Sequence, residues 1–334
     1  MTICYKFVDI PKKIKDELEN ASLFYGQAYE KNVILRGQSM MYLWDDARIL
    51  CARIRKQLFF KVAILDSEPF VYVSGVNNDE RSFLNEVIVS LKEQGIQWVM
   101  TTNTSRFQTY PNGAKTIKSG NHIINLNNSY EQLWANMHSK HRNAVKRGEK
   151  AGMELIEGGA ELIDEYTPLA NLTYARSGEK ASSVEYYKAI LNGIENQSFI
   201  MLLKKDGELQ AGGMFLYNKK TAYYLHGASV GRPEPGSTNY LLWKAIEKVK
   251  EKGTKEFSFV GYHVNAEEGS KLDGIQKFKE RFGGPLEYCY SFKCILNPFV
   301  YKMFCLLMRL KSGKIFTRYQ DHIDAQLKNF PELN

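Results

Sequence analysis

Apolar positions recur with helical spacing at two places in the chain, and both recurrences end the same way. Leu84, Val87, Ile88 and Leu91 follow i, i+3, i+4, i+7, and so do Leu242, Ala245, Ile246 and Val249. That spacing puts one buried stripe on a helix. The endings agree too: Leu91-Lys92-Glu93-Gln94-Gly95 and Val249-Lys250-Glu251-Lys252-Gly253. Glycine just past the last turn is the ordinary helix stop, because it adopts left-handed backbone without a Cβ penalty. Short apolar strands follow, Gln97-Trp98-Val99-Met100 and Glu256-Phe257-Ser258-Phe259. The two units lie 158 residues apart without a gap.

Upstream, Val71-Tyr72-Val73-Ser74-Gly75 matches Tyr223-Tyr224-Leu225-His226-Gly227 at an offset of 152. The second half is therefore expected to carry six extra residues between strand and helix, within residues 229–239. Helix–turn–strand units are common enough to match by chance. The alternative is two copies of one domain, the second with a specialised loop. Residues 48–65 read as a strand pair, and residues 200–204 and 212–217 as strands around an Asp206-Gly207 turn. Alternating strand and helix signals predict the α/β class in a mixed α+β arrangement. The expected divisions are an N-terminal domain at 1–130, a C-terminal domain at 131–295 and a helical tail at 296–334. In the tail, Asn297 is an N-cap and Pro298 the first helical residue, followed by an almost wholly apolar run over 299–310 with Lys302 and Arg309 inside it. The run is too short to span a bilayer. It is expected to pack back on the N-terminal domain, or to lie on a membrane surface.

With 44% apolar and 25% charged residues, the chain is an ordinary globular sequence, which excludes wholesale disorder. A net charge of +8 favours anionic partners: nucleic acid, phosphate-bearing cofactors or acidic headgroups. Five scattered cysteines and no apolar leader at Met1 fit a cytoplasmic protein, with peripheral contact at the inner face of the membrane as a further expectation. No nucleic-acid recognition motif is present. There is no H-E-x-x-H, no Cys/His ligand cluster and no G-x-S-x-G elbow, so no metal is expected.

Three segments carry candidate chemistry. Residues 231–239 follow a strand and open a helix; Gly231 and Gly236 would let a phosphate approach, and Ser237 or Thr238 would cap the helix start. A plain surface loop explains the same residues. Residues 130–152 read as one basic helix in which Arg142, Lys146 and Lys150 share a face, either solvated or forming a positive wall over an anionic substrate. In residues 261–284, Tyr262 closes a strand, and the aromatic and basic run after it either only packs or presents Lys279, between Phe278 and Phe282 and near Arg281, as a partly desolvated cation near reacting groups. Among the histidines, His226 stands out because it ends a strand beside the glycine-bearing loop.

Together these residues resemble a known family. Leu133-Trp134 followed by Ser139-Lys140-His141-Arg142-Asn143-Ala144-Val145-Lys146-Arg147-Gly148-Glu149-Lys150-Ala151-Gly152 is similar to a helix of FemABX-like proteins, which have two tandem GNAT-like acyltransferase domains. Ala211-Gly212-Gly213-Met214, Tyr223-Tyr224-Leu225-His226-Gly227-Ala228 and Phe278-Lys279-Glu280-Arg281-Phe282-Gly283 fit as well. The resemblance, best over residues 130–290, implies transfer of an acyl or aminoacyl group to an amine of a phosphate-bearing peptidoglycan or surface-polysaccharide precursor. The donor it implies is acyl-CoA or aminoacyl-tRNA. It also implies that Lys279 neutralises charge developing during transfer, that Arg142 contacts substrate phosphate and that Tyr224 lines the cleft. His226 joins Lys279 and Tyr224 as a candidate catalytic group, Gly231, Gly236, Ser237 and Thr238 are candidate cofactor contacts, and Arg142, Lys146, Tyr262 and Arg281 candidate substrate contacts. Where family members carry Asp, this chain has Ser258-Phe259-Val260-Gly261, and it lacks the long helical pair that serves some relatives as a tRNA-binding arm, which disfavours tRNA. The alternative is a non-catalytic GNAT-like protein that binds an anionic glycan or a nucleotide-linked ligand.

Overall fold

A computed structural model describes residues 1–57, 59–75, 79–177, 181–264, 266–311 and 321–329. In the first half the order is β1 (Thr2–Cys4), α1 (Lys12–Ala21), α2 (Gln27–Leu35), β2 (Ser39–Trp44), β3 (Arg48–Gln57), β4 (Phe60–Leu65), β5 (Phe70–Val71), α3 (Glu80–Glu93), β6 (Trp98–Thr101) and β7 (Lys115–Asn125). The second half continues with α4 (Tyr130–Asn136), α5 (Ser139–Lys150), β8 (Glu154–Gly158), α6 (Ile163–Ala175), α7 (Val184–Gly193), β9 (Ser198–Lys205), β10 (Glu208–Tyr217), β11 (Thr221–Ser229), α8 (Ser237–Glu251), β12 (Glu256–Ser258), β13 (Tyr262–His263), α9 (Lys271–Glu280) and β14 (Leu286–Ile295). The tail holds α10 (Pro298–Lys311) and α11 (His322–Asn329).

The strands form one sheet in the order β1-β2-β3-β4-β6-β14-β7-β12-β11-β10-β9-β8, with β5 beside β3 and β13 beside β7. Read inward from the two edges, the same succession occurs twice. Antiparallel hairpins lead to a parallel pair, β4 with β6 and β11 with β12. One amphipathic helix, α3 or α8, makes each crossover. The glycine stops are real: Gly95 has φ 74° and Gly253 φ 80°. The Asp206-Gly207 turn has φ 52° and 82°, as a tight hairpin turn requires.

The sheet does not divide where chain order does. β7, at the end of the first half, pairs with β12, while β14, at the end of the second half, pairs with β6. The two meet in the middle over eight residue pairs, Leu286–His122 to Lys293–Lys115. One apolar core runs through both halves and includes Phe24, Tyr29 and Tyr42 with Tyr166, Met214 and Tyr223.

Two expectations are corrected here. Val62 lies opposite Trp98 and Thr221 opposite Glu256, so the counterpart of β11 is β4, at an offset of 159. The link in the second half is thus one residue shorter, not six longer. Val71-Tyr72-Val73-Ser74-Gly75 matched only in local composition; strand β5 ends at Val71. The second correction concerns residues 130–152, which are two helices. Met137 and His138 are extended at ψ 135° and 141°. The Arg142 side chain fills the break, donating through Nη1 to the carbonyls of Trp134 (3.5 Å), Ala135 (3.0 Å) and Met137. It satisfies carbonyls that the last turn of α4 leaves open.

In the tail, Asn297 Oδ1 accepts from Val300 N at 3.1 Å, the expected cap. Tyr301 and Phe304 of α10 pack on Phe60, Val62, Ile64 and Trp98. The capping role of Arg142 has a measurable consequence. Arg142→Met should lower unfolding stability by about 1 kcal/mol, the net worth of hydrogen bonds at a partly exposed helix end, seen as a lower urea midpoint. A side chain needed only for substrate would leave the midpoint unchanged.

Candidate functional site between the two halves

The exchange of β7 and β14 turns the carboxyl ends of both parallel pairs toward each other. A cavity of about 540 Å³ lies between them. The first half contributes Tyr29, Arg36, Arg53, Arg55, Asp66 and the 102–104 turn; the second contributes Ser182, Tyr186, Leu225, His226 and Val260. Crevices at the carboxyl ends of parallel strands are where α/β folds bind ligands.

The first-half wall is a charged network. Arg53 holds Asp66 with two bonds, Nε to Oδ2 at 2.8 Å and Nη2 to Oδ1 at 2.9 Å. Tyr29 donates to Asp66 Oδ2 at 2.7 Å, and Arg53 Nη1 reaches Gln38 Oε1 at 2.8 Å. Burial alone would raise the Asp66 carboxyl, but the Arg53 guanidinium and the Tyr29 hydroxyl outweigh it and hold it below its ordinary value. Arg36 lies 5.3 Å from the centre of the Tyr186 ring, and its buried Nε has no hydrogen-bond partner among the described residues. Three guanidiniums thus face one carboxylate among the described lining residues, and the wall is net positive.

The second-half wall is made by a β-bulge. Phe215 pairs with Tyr224 and Met214 with His226, so Leu225 is the extra residue. The bulge turns Leu225 and His226 to the same side, into the cavity. Tyr224 goes to the other side, stacked on Phe215 at 5.4 Å, and its hydroxyl lies where a Cβ on Gly227 would sit. The His226 ring is held by Tyr174 (Nδ1 to hydroxyl, 3.0 Å) and Tyr186 (Nε2 to hydroxyl, 3.4 Å). Burial pushes its pKa down to about 4, so the imidazole is neutral at pH 7.

At the cavity rim, β12 ends in a left-handed turn, Val260 at φ 32° and Gly261 at φ 68°. A β-branched residue there is strained. Lys279 holds the turn: its Nζ donates to Val260 O at 2.6 Å and Gly261 O at 2.7 Å. Gly261 N donates to Asn121 Oδ1 at 2.7 Å. Burial, with no carboxylate among its bonds, pushes the Lys279 ammonium down to about 8. Ser258, in the strand before the turn, accepts from Val260 N at 3.3 Å. The pairing of β11 with β12 stops at Tyr223–Ser258, yet β11 continues to Ser229, leaving a wedge that the first half lacks.

The structure therefore brings His226 and the Lys279 turn to one cavity, and Tyr262, with its ring edge on His122 at 5.4 Å, follows that turn. Arg281 lies at the end of α9, where its carbonyl accepts from His138 N at 2.9 Å. The other residues form a separate group where α5 crosses α8. A Cβ on Gly236 would collide with Ala144 O, so this glycine permits the helix contact. Ser237 is buried and its hydroxyl donates to Glu234 O at 2.6 Å. Gly231 is exposed and Thr238 half-buried in the first turn of α8. Lys146 is exposed, 5.9 Å from the centre of the Trp134 ring. The first-half residues Tyr29, Arg36, Arg53, Arg55 and Asp66 were missed in the sequence. Their one signal was Arg53 and Arg55, two apart after the apolar run at 49–52 and so on the same face of the strand.

The FemAB family model matches residues 61–208 and 203–309, more than half of the chain. Among solved structures, FemX is similar at a TM-score of 0.67 and 14% identity, over 91% of this chain and 99% of that one. A tandem GNAT protein from the clavulanic acid biosynthesis pathway gives 0.51 at 14%, over 89% and 99%. L-PGS from Bacillus licheniformis gives 0.52 at 15%, over 90% and 96%. No curated protein matches the sequence significantly. The structural likenesses confirm the fold, two GNAT-like domains in tandem, and the sequence match over both halves places the chain in the FemAB family.

Proposed function

We propose that this protein is a transferase that moves an acyl or aminoacyl group to an amine of a phosphate-bearing cell-envelope precursor, with the acceptor bound in the interdomain cavity. The observation that carries this reading is the cavity wall: three guanidiniums, one carboxylate and a neutral histidine, beside a turn tied to Lys279. Family membership supports the transfer chemistry. Guanidinium groups bind phosphate in a planar, forked geometry, and Arg36 still has an unpartnered Nε to offer.

Attack of an amine on an activated acyl carbon makes a tetrahedral oxyanion. An ammonium has three donors, and the two carbonyls of the turn take two from Lys279. The third is available to an oxyanion, where such a donor is worth about 3–4 kcal/mol. The acceptor amine must lose its proton. With Asp66 held low and His226 near 4, neither is a strong base at pH 7; the proton leaves to water or to a substrate group. The acyl donor is assigned to the wedge between β11 and β12, on the second-half side. Acyl-CoA remains favoured over aminoacyl-tRNA, since no described helix between residues 131 and 295 exceeds the 15 residues of α8.

The test is turnover with acyl-CoA and aminoacyl-tRNA donors and with nucleotide-linked peptidoglycan precursors as acceptors. Lys279→Met should lower kcat by about 10²-fold or more without loss of folding by circular dichroism. The wild-type kcat should fall as pH rises through about 8, because the ammonium, not the free amine, is the donor. Lys279→Arg, charged throughout, should keep its activity above that pH. Flat pH profiles for both would remove Lys279 from the chemistry. Arg36→Met should raise KM about tenfold, one lost charged contact, with kcat nearly unchanged. Binding without turnover under every donor would favour the non-catalytic reading.

A further inference from the structure

The helix α10 closes an apolar core on one side, yet its opposite side is apolar as well. Tyr301 and Phe304 face inward; Phe304 meets Phe60 at 5.4 Å and Trp98 at 4.6 Å. On the far side, Phe299, Met303, Leu306 and Leu310 follow at intervals of four, three and four, which aligns them along one line. They are 77%, 37%, 53% and 53% exposed. A helix that only closes a core turns charged or polar there. Phe59, 72% exposed between β3 and β4, precedes Phe60, whose own ring meets Phe304 of the helix. Lys302 is exposed at one margin of the line and Lys311 at the C-terminal end of the helix, and α10 contains no Asp or Glu.

We propose that this face docks on an anionic lipid bilayer, lying in the plane of the headgroups. An amphipathic face with large apolar residues and cationic margins is what such an interface binds. At 14 residues, α10 is about 21 Å long, short of the ~30 Å hydrocarbon core, and no described helix is long and apolar enough to cross a membrane. A second copy of the chain is the poorer occupant: two such faces would bring their lysine margins together, on a chain of net charge +8.

Position gives the docking a consequence. Along β3, Arg53 and Arg55 line the interdomain cavity, and Gln57, next on the same face, donates to Met308 of α10 at 3.6 Å. Along β4, Phe60 and Val62 lie under α10 and Ile64 lines the cavity. The helix and the cavity thus share one sheet face, one or two residues apart. A docked α10 sets the cavity beside the bilayer, where a lipid-linked acceptor is presented. This last step rests on the transferase reading; the docking itself does not.

The test uses the full chain with vesicles of phosphatidylglycerol and phosphatidylcholine in equal parts, and with phosphatidylcholine alone. Flotation should recover wild-type protein with the anionic vesicles, and at least about tenfold less with neutral vesicles or high salt. The double variant Phe299→Ser and Leu306→Ser, both on the exposed face, should lose vesicle binding about tenfold while keeping its melting temperature and its turnover of a water-soluble acceptor. Wild-type protein that stays in solution with anionic vesicles overturns the proposal, as does a double variant that binds them equally well. A concentration-dependent dimer in light scattering that this variant abolishes would assign the face to a second copy and would also overturn it. Loss of vesicle binding with soluble turnover intact separates this result from any failure of the transferase reading.

Discussion

The antiparallel ladder between β7 and β14 sets the geometry of everything else. Each of these strands ends one half and pairs into the other, β7 on β12 and β14 on β6. Had each returned to its own half, the sheet would not run unbroken from one parallel pair to the other. With the strands exchanged, the ends of β4, β6, β11 and β12 converge on one cavity. Lys293 extends the same constraint to the tail. It is fully buried in β14, and its Nζ contacts Asp321 at 2.6 Å, Asp324 at 2.7 Å and the Tyr301 hydroxyl at 2.9 Å. Breaking a buried pair of this kind costs about 3–5 kcal/mol, so α10 and α11 are tied to the strand that joins the halves.

Within that frame the two halves differ in complementary ways. In the first half, β4 and β6 stay paired to their ends, and the charge sits beyond them, in Asp66 and its arginine partners. In the second half, β11 outruns β12, and a bulge aims His226 at that charge. The first half supplies a net-positive wall. The second supplies the wedge and the strained turn under Lys279. Residues of both halves enclose the cavity. The close approach of α2 and α7 adds to the fit: Asn32 donates to Ala189 O at 2.8 Å, and a Cβ on Gly193 would collide with Asn32.

Local signals were legible in the sequence, and long-range ones were not. The buried faces of α3 and α8, the stops at Gly95 and Gly253, the Asp206-Gly207 turn and the Asn297 cap depend on neighbours within one or two turns, and each was readable. The break between α4 and α5 was not, because it is held by an arginine five residues beyond it and by Arg281 O from a distant helix. The offset of 152 failed for a related reason. Short aromatic and glycine-ended strings recur freely, whereas register is defined only by the partner strand. The cavity arginines carry no local signal of the second-half residues that line the cavity with them; only the strand exchange shows that residues 29–66 and 182–260 line one site. Desolvation marks Lys279 locally, and the fold gives it the turn at Val260 and Gly261. His226 lies not at a strand end but inside β11, three residues before Ser229, and reaches the cavity through the bulge.

The central claim is that an anionic acceptor occupies the space between the halves. It is tested most directly by following the His226 imidazole by nuclear magnetic resonance during titration with a nucleotide-linked peptidoglycan precursor. Occupancy of the cavity should shift the His226 ring signals in a saturable way, together with the amides of Thr102 and Val260, which line the same space. Saturable shifts confined to the first turn of α8, at Thr238 and Asn239, with His226 unmoved, would place the acceptor elsewhere and contradict the account.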